Sequence, residues 1–203
     1  LQDCGFFSLL PLLAQQSNVR SEVVTAPAKA ETFRAVVDRR GLEALESVVG
    51  MAKMCAIDAE TDNKDPRKAT LLGIAFAAKA GEAYFLPLVE TALKDIPRSA
   101  AVKALKRIFS SDVDFIGHNI KYDYLLLRRI GIAIKRVHFD TMLAAFECHG
   151  DWPFFKLQYL AQRLLGRRIK SLKHLVILVV VRGITKHLYR IKMVYYLIHL
   201  ICK

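Results

Sequence analysis

Cys55-Ala56-Ile57-Asp58-Ala59-Glu60-Thr61-Asp62 is the stretch on which the fold class turns. It opens on apolar residues suited to a buried strand and then places two carboxylates two positions apart. Side chains alternate along a strand, so Asp58 and Glu60 project from the same face. Two like charges held side by side are costly unless cations neutralise them, as a Mg²⁺ site does. Taken alone, an Asp-x-Glu is equally a strand end entering a polar loop, here Thr61-Asp62-Asn63-Lys64.

Outward from that strand, the chain reads as alternating elements. Thr32 to Val37 is a strand, and Asp38 suits a helix N-cap, with Leu42, Leu45 and Val49 at helical spacing and Gly50 as the stop. Met54 to Asp58, Thr70 to Ala77 and Ala83 to Leu88 are β runs with short connections, the pattern of an antiparallel meander. After Pro97 helix and strand alternate. Helices are expected over Ala101 to Phe109, Tyr122 to Ile130, Thr141 to Cys148 and Lys156 to Leu165, with extended runs at Asp114 to Gly117 and Ile132 to Phe139. A meander followed by βαβα is an α/β plan with a mixed sheet. Residues 1–15 form a short apolar piece, and 16–29 read as a linker rich in Ser, Thr, Ala and Pro.

Composition narrows the function classes. The 203 residues suffice for one full domain with flanking pieces, and 53% hydrophobic with 25% charged residues is a globular balance. Cys4, Cys55, Cys148 and Cys202 show no CxxC or CxxH spacing, which argues against a zinc site or disulfide framework and fits a reducing cytoplasm. The net charge of +12 is unevenly spread: 11 of the 31 basic residues fall between Trp152 and Lys203, a stretch without Asp or Glu. A basic surface is an electrostatic footprint of nucleic-acid binding, but here one segment supplies it and the body is nearly neutral. Gly5 to Ala14 resembles a signal-peptide core, but its first basic residue, Arg20, follows rather than precedes it. Leu175 to Val181 ends at Arg182, far short of the about 20 apolar residues a spanning helix needs, so no membrane association is expected. Leu1 is not an initiator methionine, and the chain is expected to be part of something longer.

A second acidic motif, Asn119-Ile120-Lys121-Tyr122-Asp123, follows the strand Phe115-Ile116-Gly117 and opens a helix. Asp123, Leu126 or Leu127, and Ile130 share a helix face, which puts a carboxylate on the stripe that packs against the sheet. By itself Asp123 is also a first-turn acid favoured by the helix dipole. Together the two motifs resemble those of the DEDD exonuclease superfamily, most closely the 3′→5′ proofreading exonuclease domain of DNA polymerase I. Ile57 to Asp62, Leu71 to Phe76, Gly117 to Asp123, Gly131-Ile132, Phe139 to Leu143 and Leu157 to Gly166 carry the likeness, which covers roughly residues 30 to 176. Cys4 to Leu10 looks like the close of the 5′ nuclease domain that precedes this one in such polymerases.

That resemblance implies a ribonuclease H-like fold and hydrolysis of DNA 3′ ends with two divalent cations, Mg²⁺ or Mn²⁺. Asp58 and Glu60 match the metal-binding and catalytic pair of the first motif, and Asp123 the carboxylate of the second. Thr61, Asn119 and Tyr122 match positions near the terminal nucleotides, and Asp140 a structural position. The implied partners are single-stranded DNA 3′ ends and a polymerase domain in the parent chain. The family's third motif, a Tyr followed four residues later by an Asp, has no counterpart: no acidic residue follows Asp151, and Tyr189 and Tyr195 are followed at that spacing by Met193 and His199. Residues 177–203 read as translation out of frame, or as a basic tail whose interleaved Tyr and Arg could stack on bases. A non-catalytic nucleic-acid-binding domain and a fragment without function therefore stand beside the nuclease.

Overall fold

The computed structural model describes residues 32–166. The expected remnant at 1–15, linker at 16–29 and tail at 177–203 lie outside them, as does the expected domain end at Val176. Six strands, β1 (Thr32–Ala35), β2 (Met54–Thr61), β3 (Leu71–Lys79), β4 (Glu82–Pro87), β5 (Asp114–Gly117) and β6 (Val137–Asp140), form one mixed sheet in the order β1-β4-β3-β2-β5-β6. Five α-helices complete the described residues: α1 (Arg39–Gly50), α2 (Arg98–Phe109), α3 (Ile120–Arg129), α4 (Thr141–Cys148) and α5 (Leu157–Leu165).

The expected meander is present, with β2, β3 and β4 antiparallel in sequence. β5 then pairs parallel with β2, and β6 parallel with β5. On the opposite edge β1 lies parallel to β4, a long-range pairing that no local pattern announces. Several boundaries differ from the sequence expectation; β2, for one, runs on to Thr61 rather than ending at Asp58. β1 stops at Ala35, although the Val36 N–H still donates to the Phe85 carbonyl at 2.8 Å, and Val36 and Val37 are buried. α3 starts at Ile120 rather than Tyr122. Of the extended run beginning at Ile132, only Val137–Asp140 joins the sheet, while Ile132 and Ile134 serve as core residues.

The two faces of the sheet differ in filling. On one, α1 contributes Leu42, Leu45 and Val49, α2 contributes Ala104, Leu105 and Ile108, and α3 contributes Leu126 and Leu127, all packed around Cys55, Ile57, Ile74, Phe76 and Leu86. Asp38 caps α1 as its sequence suggests, accepting the Gly41 N–H at 2.8 Å. Phe109 sits between two other rings of this core, its centroid 5.8 Å from that of Phe76 and 4.9 Å from that of Phe115. The other face is smaller and built largely of alanine: Ala56, Ala75, Ala77 and Ala83, with Phe85, Ile116 and Leu157 from α5. Among the described residues no helix is long and apolar enough to cross a membrane.

Cys55 is fully buried in the larger core, and burial pushes its thiol up to about 12. Only a thiolate reacts readily, so Cys55 is expected to resist iodoacetamide at pH 8 in the native protein and to react once urea unfolds it. Exposed Cys148 should react in both states. Peptide mass spectrometry distinguishes the two, and rapid native labelling of Cys55 would show that this strand is not buried.

Candidate active site

Alternation along β2 sends Cys55, Ile57 and Ala59 into the large core and leaves Ala56, Asp58 and Glu60 on the other face. Glu60 is buried and Asp58 half-buried. The neighbouring strand gives them small partners, since Asp58 lies across from Ala75 and Glu60 across from Gly73. A Cβ on Gly73 would collide with the Phe85 ring and come within 2.9 Å of the Leu86 carbonyl oxygen. The Phe85 ring thus occupies the space that a side chain at position 73 would take, and the facing strand itself offers only Ala75 and Gly73 opposite the two acids.

Asp123 reaches the same place from α3. The parallel ladder between β2 and β5 runs only as far as Ala56 opposite Ile116, because β5 ends at Gly117. Further along β2, the Ala59 N–H is accepted by Asp123 Oδ1 at 2.8 Å. A side-chain carboxylate thus stands where the next rung of the sheet would be, and it satisfies a backbone donor that would otherwise be buried unpaired. Asp123 is only 4% exposed. Burial raises its carboxyl well above the ordinary carboxylate range and the charge of Asp58 raises it further, while the Ala59 hydrogen bond opposes both.

A raised folded-state value means that Asp123 favours folding when protonated and burdens it when charged. Asp123→Asn keeps an acceptor oxygen for Ala59 and removes the charge. In EDTA at pH 7 this variant should melt a few degrees above the parent, by an amount that shrinks as pH falls through the native value toward the ordinary one near 4. A thermal scan over that range checks it; a gain that grows on acidification would refute the assignment.

The start of α3 is shaped by Asn119, which has left-handed backbone at φ 62°, ψ 44° and makes no side-chain capping bond. Its N–H is taken instead by Asp140 Oδ1 at 3.0 Å, and the Ile120 N–H by Asp140 Oδ2 at 2.9 Å. Beside it, Thr141 Oγ1 lies 3.2 Å from the Gly117 carbonyl oxygen and 2.9 Å from His118 Nδ1. Burial lowers the pKa of His118, against the opposing charge of Asp140. Across the site Thr61 Oγ1 lies 2.8 Å from the Tyr122 hydroxyl, and both reach the Asn63 carbonyl, at 2.9 and 2.5 Å respectively.

The six expected site residues thus fall on two segments, the end of β2 and the start of α3. Asp58 and Asp123 are in electrostatic contact, Glu60 shares the Asp58 face, and Thr61 is bonded to Tyr122. Among the described residues no three His, Cys, Asp or Glu side chains are drawn into the arrangement of a metal site. What the sequence understated is Asp140, which reaches the start of α3 as well as that of its own helix. The available signal was an Asp directly before a helical run, a standard N-cap, and it gives no hint of the second helix.

Residues 33–195 match the model of the 3′→5′ exonuclease family, beyond Val176 and past the described residues. The DNA polymerase I of Pseudomonas aeruginosa is 29% identical over 160 residues, covering 75% of this chain and 17% of that protein. The chain therefore spans about a sixth of that polymerase. Among solved structures, ribonuclease D from Escherichia coli, an exoribonuclease involved in structured RNA processing, superposes with a TM-score of 0.64 at 17% identity, over 84% of this chain and 44% of that one. NrnC from Brucella melitensis with bound Mg²⁺ superposes with a TM-score of 0.60 at 19% identity, over 86% of this chain and 79% of that one. At these identities the two structures speak for the fold, which is ribonuclease H-like. With an acidic strand end and an acidic helix start converging on that fold, and with 33–195 matched, the chain belongs to the 3′→5′ exonuclease family.

Proposed function

We propose that the end of β2 and the first turn of α3 form a metal-dependent site for hydrolysing single-stranded DNA from its 3′ end, weakened in this chain. The observation that carries the proposal is the buried Asp123 carboxylate, bonded to Ala59 and facing the charge of Asp58. A buried carboxylate whose proton affinity is raised by a neighbouring carboxylate's charge suits a divalent cation shared between them, which would relieve the repulsion. Asp58, Glu60 and Asp123 are the residues that would hold it. When bound, such ions activate the attacking water and neutralise charge on the phosphate. Asn119, Thr61 and Tyr122 border the acids, where they would receive the terminal nucleotides. A DNA substrate and a polymerase domain in the parent protein accord with the DNA polymerase I relative.

The donor set fits one cation better than two. No acidic residue follows Asp151, so the fourth family carboxylate has no counterpart here. That gap favours a second reading, a nucleic-acid-binding domain without chemistry. Calorimetric titration with Mn²⁺ tests the proposal. Weak binding is expected for the parent chain and none for Asp58→Asn combined with Glu60→Gln. Equal heats from the two proteins would remove the site.

A further inference from the structure

We infer that Asp140 is a positioning residue for this site, holding Asn119 and, through α3, Asp123 by capping two helices at once. The role in the nuclease rests on the site proposed above. The Asp140 carboxylate receives four backbone N–H groups from two segments. Oδ1 accepts from Asn119 at 3.0 Å, Met142 at 2.8 Å and Leu143 at 3.4 Å, and Oδ2 accepts from Ile120 at 2.9 Å. The first turn of a helix leaves N–H groups without intrahelical acceptors, and the N-cap side chain ordinarily supplies one. α4 follows that pattern with Asp140 as its own N-cap. α3 does not, because its N-cap Asn119 makes no such bond and the acceptor comes from 21 residues further along the chain.

This borrowed cap has a geometric consequence. Left-handed backbone is disfavoured for a residue with a Cβ and persists where its surroundings over-determine it. Asn119 is the only non-glycine residue in that region among those described, and its own N–H is what Asp140 grips. The turn at Asn119 sets the direction in which α3 leaves β5. Asp123 lies about one helical turn in, so that direction decides whether its carboxylate reaches the Ala59 N–H. The negative charge of Asp140 also lies at the positive ends of both helix dipoles, where it is favourable. Without Asp140, Asn119 loses its restraint and Asp123 its aim.

Amide hydrogen exchange of the full chain, resolved by NMR in EDTA, tests the inference on Asp140→Ala, Asp140→Asn and Asp38→Ala. Asp38→Ala deletes a cap of one hydrogen bond from α1, which bears no candidate site residue, and so reports what loss of a cap away from the site does to Ala59. Ala59 and Ile120 are expected to exchange about 5- to 30-fold faster in Asp140→Ala than in Asp38→Ala, the factor that accompanies loss of one or two caps. Asp140→Asn retains one acceptor oxygen and should fall between; it also serves if the alanine variant does not fold. Ala59 exchange no faster than in Asp38→Ala would overturn the inference. Mn²⁺ titration of the same proteins should show binding weakened by both Asp140 variants and kept by Asp38→Ala, and unchanged binding in the Asp140 variants would count equally against it. If the parent chain binds no Mn²⁺, the nuclease proposal fails, while Ala59 exchange still decides whether Asp140 positions Asp123.

Discussion

Single-stranded DNA labelled at its 5′ end is expected to stay at full length when incubated with this chain and Mg²⁺ or Mn²⁺. Phosphodiester hydrolysis is slow without help, and enzymes lower such barriers by about 8–23 kcal/mol. In this family much of that reduction depends on carboxylates fixing charge and geometry at the phosphate to a fraction of an ångström. In the proposed site Asp58, Glu60 and Asp123 would supply three carboxylates, and no acidic residue after Asp151 supplies a fourth. Tyr189 and Tyr195 carry no Asp four residues on, so neither completes the motif whose Tyr would orient the attacking water. Each loss is expected to cost on the order of 10²- to 10³-fold, as does removal of one transition-state stabiliser. Joining residues 1–176 to a family-like segment carrying Tyr-x-x-x-Asp should restore shortening of the labelled strand. Brisk metal-dependent shortening by the parent chain, abolished by Asp58→Ala, would falsify the account.

Phe109→Ala should lower the stability of the fold by about 3–5 kcal/mol, the usual cost of deleting a buried aromatic ring. Phe109 has no exposed surface and touches the rings of Phe76 on β3 and Phe115 on β5. It thereby ties the end of α2 to both halves of the sheet, and its loss leaves a cavity between them. A domain of ordinary stability has about 5–15 kcal/mol in total, so this change brings it close to unfolding. Leu143, 58% exposed, is the matched control, with an expected change within about 0.5 kcal/mol on replacement by Ala. Urea unfolding followed by circular dichroism gives both numbers. Equal midpoints for the two variants would mean that the aromatic cluster is not the keystone described.

The meander was legible because each of its strands carries a local pattern, and the Asp58–Glu60 pair because period-two alternation puts both on one face whatever lies around them. Asp123 was legible as a carboxylate on the inward stripe of a helix. Its hydrogen bond to Ala59 was not, since that depends on how far β5 extends beside β2, a length no single segment encodes. The parallel contact of β1 with β4 joins residues some 50 positions apart, Thr32 with Glu82, and leaves no periodic trace. The left-handed turn at Asn119 has no local signature for a related reason. Its cause is Asp140, and only the folded chain brings the two together. Tyr122 shows the same limit in small form, because its ties to Thr61 and Asn63 cross from one motif to the other.

The shortness of β5 bears on what a chain with this architecture keeps when selection acts on folding alone. The carboxylate at position 123 completes the sheet beside Ala59, so selection for folding alone retains an acceptor there, Asp or Asn. Asp58 has the opposite standing, since its charge is, after burial, the largest cause that burdens Asp123. Once relieved of catalysis, descendants would gain stability by losing the charge at 58 and lose it by losing the acceptor at 123. Their sequences would shed the first motif while the second persisted, and a surviving Asp123 would then be a fossil of architecture rather than a sign of activity.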